Sequence, residues 1–334
     1  MKITSKARFV AAAAIGCSAV IVAILSFNSK PTDFPENTAG SDTTISITSG
    51  ETGSQIAHAI ERLGVVKSAT AFIKLEMSEK SSQSISPGVH TLQTHITSKE
   101  ALAQLLDPAR NKGLVRVVEG STVTDVLSAL RNAGIHGERK SVPIPVGYPS
   151  QAKLEGFLFP STYAFAEGIS VDDALKAMVH QFSLTSSTLA LNKGYGSFSP
   201  YQVLTIASLV QIEGDPQDYA KISRVIYNRL AISMPLQLNS SVQYALNQRG
   251  KINLSRGATH ISSPYNTYQH TGLPPSPISN PGAAAISGAL HPATGDWLYF
   301  ITVRPHDTRF TNNFKEFEGW VTLYNNNVAN GAFK

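Results

Sequence analysis

The sequence contains one cysteine, Cys17, in 334 residues, so it can form neither an internal disulfide nor a zinc site built on cysteines. Charged residues are also scarce, at 15% of the chain against a usual share of about 25%. Lys and Arg together number 28 and Asp and Glu 23, which gives a formal net charge of +5, but the excess forms no basic run. The sequence therefore has no basic run of the kind that indicates nucleic-acid binding, and we expect no nucleic-acid partner.

What is present is the composition of a folded protein. Hydrophobic residues make up 42% of the chain, and 334 residues are enough for about two domains of roughly 150 residues each. This composition excludes a disordered, collagen-like or coiled-coil chain. The abundance of Ser, Thr, Asn, Gln and Tyr suits an uncharged ligand that is rich in hydroxyl groups.

An uncharged stretch of 19 residues, at positions 9–27, follows three basic residues near the N-terminus. A helix of that length, at about 1.5 Å per residue, spans a bilayer core, and the basic flank is expected on the cytoplasmic side. We therefore predict a single-pass anchor in the cell membrane in residues 1–28, a polar linker in residues 29–43, and all later residues outside the cytoplasm. A cleaved signal peptide is the alternative, although no A-x-A site follows the stretch.

Two 19-residue segments of the first half match without a gap at an offset of 70 residues. They begin at Ile47 and Val117, and each predicts a strand, a glycine turn, a short helix and a glycine after the helix. Their shared pattern resembles the LysM glycan-binding module. We predict an α+β fold with a small LysM-like domain in residues 44–114 and a larger mixed α/β domain in residues 115–334. A small α+β unit without a glycan-binding role is the alternative for the first domain.

A helix predicted to begin at Ser199-Pro200 carries a carboxyl group near its end. Glu213 shares one helical face with Ile206, Leu209 and Val210. An acid on an apolar face loses hydration, which raises its pKa and keeps it protonated for use as a general acid. A Glu turned to solvent at the helix end is the alternative.

The 76 residues of positions 220–295 contain no Asp or Glu. The stretch is instead crowded with neutral donors, acceptors and aromatic rings, which are suited to binding sugars. These polar and aromatic residues include Asn228, Arg229, Gln237, Asn239, Gln243, Tyr244, Tyr265, Asn266, Tyr268 and Gln269. Ordinary glycoside hydrolases use two carboxyl groups. A single acid suffices when an internal hydroxyl of the substrate acts as the nucleophile.

Six segments of the second half occur in the order and spacing of one known family. They read LEGFLFPSTY, IASLVQIEG, VIYNRL, MPLQ, SPYNTYQHTGLPPSPISNPG and HPATGDWLYF. They resemble the endolytic murein transglycosylases, the YceG-like family also called membrane-bound lytic transglycosylase G. The likeness covers most of the chain and implies that residues 115–334 are catalytic.

The resemblance implies cleavage of nascent peptidoglycan strands at the β-1,4 bond between N-acetylmuramic acid and N-acetylglucosamine, which leaves a 1,6-anhydro end. Such cleavage could end glycan elongation. The implied partners are glycan strands, the cytoplasmic membrane and peptidoglycan synthases. No metal or other cofactor is implied, and no two of the four histidines between positions 260 and 306 have the i, i+4 spacing of a helical zinc site.

The resemblance also assigns roles to individual residues. Glu213 matches the family's catalytic glutamate, the second acid of its motif, while the first acid is replaced by Gln211. Tyr265, Asn266 and Tyr268 are expected to line the saccharide cleft. Asn228, Arg229 and Gln237 are expected to orient sugar or to support the catalytic helix.

Some positions depart from the family pattern or offer a second acid. The family usually has Asp after the LQ of the MPLQ segment, where this chain has Asn239 nearby, and Thr308 lies where the family has His in an H-x-F motif. Glu155 is a possible secondary carboxylate, with stabilisation of the turn before Gly156 as the alternative.

Two other function classes stay open at this stage. One is a membrane-anchored glycan-binding protein, in which the LysM-like repeats bind glycan and the C-terminal half is inactive. The other is a conventional glycoside hydrolase, which would release products without anhydro ends.

Overall fold

The computed structural model describes residues 32–48, 51–79, 85–165, 168–248 and 257–333. They form two compact units, one ending at Lys112 and the other beginning at Gly113. The predicted anchor lies outside the described residues. Within the described part, no helix has both the length and the apolar character needed to cross a bilayer.

The first unit is a small antiparallel sheet with helices packed on it. Its strands are β1 (Asp42–Ile47), β2 (Gly88–Gln93) and β3 (Asn111–Lys112), in the order β1-β2-β3. Its helices are α1 (Gly53–Arg62), α2 (Ala69–Glu79) and α3 (Ser98–Leu106). Their apolar faces meet in a core that includes Ile60, Phe72 and Leu92. The LysM-like character of this unit stays a prediction.

The internal repeat is present as repeated local structure. Thr52 and Thr122 cap their helices in the same way, each in a reciprocal capping box with the residue three positions on. Gly64 and Gly134 follow the helices with φ values of 70° and 81°, a left-handed conformation that glycine adopts without steric cost. The two copies fall in different units, the first before Lys112 and the second after Gly113.

The second unit is mainly helical, with two small antiparallel sheets. Its sheets pair β4 (Leu114–Val117) with β5 (Ser161–Ala164), and β6 (Tyr299–Arg304) with β7 (Asp307–Thr311). Its helices are α4 (Val123–Asn132), α5 (Val171–Thr188), α6 (Pro200–Glu213), α7 (Tyr219–Ala231), α8 (Asn239–Ala245), α9 (Ala283–Leu290) and α10 (Phe314–Ala329). The α+β class is confirmed, with small antiparallel sheets beside a helical core.

Helix α6 forms the centre of this core. The sequence predicted one apolar face, but every residue from 203 to 210 is buried, so neighbours surround the helix on all sides. Helix α9 packs against α6 and α7, and Gly288 lies so close to Tyr219 that a Cβ there would be 2.8 Å from the tyrosine Cβ. Burial on all sides holds the C-terminal end of α6 in a fixed place, and Glu213 is its last residue.

A short 3-10 turn separates α6 from α7. Asp215 makes no capping hydrogen bond, and a short 3-10 turn at Pro216–Asp218 precedes α7. The Asp215 carboxylate instead lies 2.7 Å from Nδ1 of His306, in the β6-β7 hairpin. The loop that follows α6 is thus attached to that hairpin.

Candidate active site

Glu213 lies where α6 ends, because Gly214 follows in an extended conformation that stops the helix. Its side chain is half-buried. Burial is the largest influence on the carboxyl group and raises its pKa above the ordinary range, while hydrogen bonds from Ser240 and the charge of Arg229 partly oppose the rise. A carboxyl group in this environment holds its proton closer to neutral pH, as a general acid requires.

Ser240, near the start of α8, orients this acid. Its hydroxyl donates a 2.5 Å hydrogen bond to Oε1 of Glu213, and its backbone N–H lies 3.4 Å from the same oxygen. In the part of the chain that the structure describes, no hydrogen bond reaches Oε2. Oε2 is therefore the oxygen available to carry and deliver a proton.

Arg229 supports the site from within the protein. Its side chain is only 7% exposed and donates to the carbonyl oxygens of Leu298 and Leu236, each at 2.6 Å. The guanidinium also stacks over the ring of Tyr299, at 5.4 Å from its centroid. Of the two roles expected from the sequence, the structure favours support of the catalytic helix region over contact with sugar.

Asn228 has a similar structural role. Its side-chain amide donates to the carbonyl oxygens of Gly295 and Trp297, which anchors the segment that leads into β6. The side chain of Gln237, in contrast, is exposed, and its backbone adopts φ 50°. Gln237 is thus the one of these three residues whose side chain faces solvent.

Tyr268 and Asn239 flank Glu213. The Tyr268 hydroxyl donates a 2.7 Å hydrogen bond to Oδ1 of Asn239. Burial is the main cause of a raised pKa for Tyr268, and the nearby charge of Glu213 adds to it. Asn239, which lies near the position where the family usually has Asp, therefore accepts a hydrogen bond beside the acid without adding a negative charge.

Asn266 does not line a cleft, contrary to the prediction. It is fully buried, and its amide donates to the carbonyl oxygens of Thr259 and Ile261 while its own Oδ1 accepts from the Tyr268 backbone N–H. An amide with these three bonds has no surface left for a ligand. Its role is to hold the loop that presents Tyr268.

Tyr265 does line a cavity, of about 440 Å³, together with Tyr244 and Glu155. The rings of Tyr265 and Tyr244 lie 5.1 Å apart, and the Tyr265 hydroxyl is 2.7 Å from that of Ser276. Two tyrosine faces in an open polar cavity can receive a sugar ring.

Glu155 is only 6% exposed, and both of its oxygens are engaged. Oε1 accepts from the backbone N–H of Val123 at 3.1 Å, at the start of α4, and Oε2 accepts from the Tyr244 hydroxyl at 3.1 Å. This arrangement favours a supporting role over that of a secondary catalytic carboxylate.

Helix α8 connects the two acids. Ser240 contacts Glu213 and Tyr244 contacts Glu155, and the two partners are four residues apart on one helical face. Along the axis of α8, Tyr244, which contacts Glu155, is therefore about 6 Å from Ser240, which contacts Glu213. Sequence reasoning missed Ser240, because its contact with Glu213 joins residues that are 27 positions apart.

Gln211 and Thr308 have structural partners. The Gln211 amide nitrogen donates to the Tyr219 hydroxyl at 2.7 Å and lies 3.5 Å from a carboxylate oxygen of Glu119, while its oxygen accepts from the Gly282 N–H at 2.9 Å. The Thr308 hydroxyl lies 2.9 Å from that of Thr302 across the hairpin. Among the described residues, no group of three or more His, Cys, Asp or Glu side chains could hold a metal ion.

Comparison with known proteins identifies the family. The family model described as "YceG-like family" matches residues 45–322. A Bacillus subtilis protein named endolytic murein transglycosylase is 30% identical over 296 residues, which cover 81% of this chain and 82% of that protein. A Streptococcus pneumoniae protein of the same name is 27% identical over 330 residues, and the match covers 86% of this chain but only 59% of the longer protein.

A solved structure shows a similar fold. The crystal structure of a YceG-like protein from Listeria monocytogenes superposes with a TM-score of 0.56 at 24% identity, and the match covers 83% of this chain and 98% of that one. The family model covers well over half of the chain, and the Bacillus subtilis relative aligns with most of its length. This chain therefore belongs to the YceG-like family.

Proposed function

We propose that this protein is an endolytic lytic transglycosylase that cleaves peptidoglycan strands between N-acetylmuramic acid and N-acetylglucosamine and leaves 1,6-anhydro ends. Family membership carries the coarser statement that it is a lyase acting on peptidoglycan. The observation that carries the chemistry is a half-buried acid at a helix end, Glu213, with its raised pKa and one oxygen held by Ser240.

The reaction needs two proton transfers at this one carboxyl group. Oε2 of protonated Glu213 donates its proton to the glycosidic oxygen as the bond from that oxygen to C1 of the muramic acid breaks. The carboxylate then accepts the proton of the C6 hydroxyl as O6 bonds to C1. The glutamate ends the cycle in its starting state, and no water is consumed.

The environment of Glu213 fits this single-acid mechanism. Glu155, the other acid considered, has both oxygens engaged by the protein, and positions 220–295 contain no acid. Because Glu155 is engaged in this way, the proposal assigns no second carboxylate to activate water or to form a covalent intermediate, and the C6 hydroxyl acts as the nucleophile. Tyr268 and Asn239 beside the acid, with Tyr244 and Tyr265 further along α8, supply the surface for the sugars.

The location of the enzyme belongs to the same proposal. The uncharged stretch at 9–27 and its basic flank support an uncleaved anchor, with the catalytic unit outside the cytoplasm, near nascent strands and the synthases that make them. In that position, cleavage would end glycan elongation. N-terminal sequencing of the protein extracted from membranes tests the anchor, and a mature chain that begins after Phe27 would refute it.

The decisive experiment is mass spectrometry of uncrosslinked glycan strands after incubation with the protein in ¹⁸O-labelled water. We expect anhydromuramic ends without ¹⁸O. Glu213→Gln keeps the size of the side chain but cannot donate the proton, so turnover should fall by about 10²- to 10⁴-fold. Glu318→Gln, which changes an exposed glutamate of α10, is the matched control. Incorporation of ¹⁸O at the new end would show hydrolysis, and products without muramic ends would show a different bond.

A further inference from the structure

A second cavity, of about 460 Å³, lies beside the one that contains the two tyrosines. The two cavities share Thr124, Glu155 and Tyr244 in their walls. The second cavity differs in charge, because Arg139, Lys140 and Lys153 line it. It therefore continues the proposed saccharide cleft into a basic compartment.

The three cations are available to a ligand. All three side chains are exposed, and none forms an ion pair within the described part of the chain. Glu155 is the one carboxylate among the described residues that line the cavity, and its oxygens already accept from Val123 and Tyr244. With three cations and one carboxylate in its walls, the cavity has a net positive charge.

The segment that carries two of these cations is held in place. The Asp172 carboxylate on α5 accepts hydrogen bonds from the backbone N–H groups of Lys140 and Ser141, at 3.0 and 3.2 Å. Because Asp172 uses its oxygens on the backbone, the Lys140 side chain stays available. Val142 and Ile144 add an apolar wall to the same cavity. A ligand that fits must combine anionic groups with short aliphatic ones.

We propose that this basic cavity binds the free carboxylates of the peptide stem that peptidoglycan carries on its muramic acid residues. The inference rests on the proposed function, since it assumes a peptidoglycan strand in the neighbouring cleft. The sugars of that strand offer no charge for three cations, whereas the stem has carboxylates and small alkyl side chains. Tyr244 faces both cavities and is one helical turn from Ser240, so a stem in the basic cavity and a sugar near Glu213 belong to neighbouring parts of one ligand.

The test compares glycan strands with intact stems and the same strands stripped of stems by an amidase. Binding is measured by fluorescence anisotropy in the full-length chain with Glu213→Gln, so that turnover does not affect the result. We expect tighter binding of the stem-bearing strands by about 5- to 10-fold, the effect of a few exposed charge pairs. The preference should shrink as salt rises. When R139Q/K140Q/K153Q is added to the Glu213→Gln chain, the preference for stem-bearing strands should disappear. Its affinity for stripped strands should stay unchanged.

The matched control is K193Q/R304Q/K315Q, which removes the same charge from exposed positions outside the cavity and should keep the preference. Equal binding of both kinds of strand by the Glu213→Gln chain would overturn the inference. An equal loss of the preference in the cavity variant and the control variant would also overturn it. The same holds if the only defect of the cavity variant is weaker binding to phosphatidylglycerol vesicles. Because the readout is binding, absence of anhydro products from the wild-type protein would refute the proposed function separately.

Discussion

The Ser240 hydroxyl and Oε1 of Glu213 lie 2.5 Å apart, in a contact that connects the start of α8 to the end of α6. The hydroxyl can only donate to an ionised carboxylate, so the bond stabilises the charged form of the acid and opposes the effect of burial. Burial thus raises the pKa of Glu213, and the hydrogen bonds from Ser240 together with the charge of Arg229 oppose that rise. The same contact engages Oε1 and leaves Oε2 without a hydrogen bond among the described residues.

Removal of that hydroxyl should change the pH dependence of catalysis. Ser240→Ala should raise the pKa of Glu213 further, because the charged form loses a hydrogen bond. A general acid acts when protonated, so activity falls as pH rises through its pKa, and the alkaline limb of kcat/KM should move to higher pH. Loss of orientation should also lower kcat by about 10-fold. Ser240→Thr keeps the hydroxyl and should restore both the alkaline limb and kcat to wild-type values. An alkaline limb that does not move in the Ala variant would show that the contact has no influence on the pKa of Glu213.

Glu155 should contribute to stability and little to catalysis. Glu155→Ala leaves the Val123 N–H and the Tyr244 hydroxyl without their acceptor, which should lower the free energy of unfolding by about 2 kcal/mol. Glu155→Gln keeps one acceptor oxygen and should cost less than about 1 kcal/mol. Thermal unfolding measures the predicted loss of stability, and the yield of anhydro ends from the same samples measures catalysis. A loss of turnover in the Gln variant as large as that of Glu213→Gln would make Glu155 a second catalytic carboxylate.

Gln211→Glu, which restores the acid of the family motif, should destabilise the protein. The new carboxylate oxygen would replace the amide nitrogen that lies 3.5 Å from Glu119. Repulsion between two exposed carboxylates should cost about 1 kcal/mol. Combination with Glu119→Gln should remove most of that cost, and chemical denaturation of the two single variants and the double variant measures the coupling. Additive effects of the two substitutions would show that the residues do not interact.

Glu76 should make the first unit less stable at higher pH. It is 3% exposed, and its Oε1 has no hydrogen-bond partner among the described residues. Burial raises its pKa, so the folded state binds the proton more tightly than the unfolded state. The stability that this group contributes is present at pH values below its ordinary pKa and is lost as pH rises through the raised folded value.

Glu76→Gln should therefore stabilise the first unit at pH 7.5 by about 1 kcal/mol, because a neutral amide replaces a buried charge. The advantage should vanish near pH 4, where the wild-type carboxyl is protonated. Amide hydrogen exchange in α2, corrected for intrinsic rates at each pH, measures the difference. A variant that opens more readily than wild type at pH 7.5 would mean that the Glu76 charge is stabilised in the fold.

Much of the local structure could be predicted from the sequence. The starts of α1, α4 and α6 follow from Thr52, Thr122 and Ser199, because each cap is formed with a residue three positions away. The glycines after α1 and α4 are equally local signals. The prediction of one apolar face on α6 was incomplete, because a helix buried on all sides has no single apolar face to detect.

Roles that depend on distant partners could not be read in the same way. Asn266 has the composition of a sugar-binding residue, yet three backbone groups take up its amide. Arg229 has the charge of a substrate contact, yet it is buried against backbone carbonyl oxygens of the loops around it. The sequence shows which groups a side chain can offer, but the fold decides whether solvent or protein accepts them.

The sequence by itself determined the family and the position of Glu213 at a helix end, since these depend on residue types and on contacts within one or two helical turns. Only the tertiary structure decided that Ser240 holds one oxygen of Glu213, that Glu155 is engaged by α4 and α8, and that three cations share one cavity. The physical reason is range. A contact within one helical turn forms wherever its helix forms. Contacts between residues 27 or 89 positions apart form only after the core around α6 has packed, because the chain between the two residues must first close into a loop.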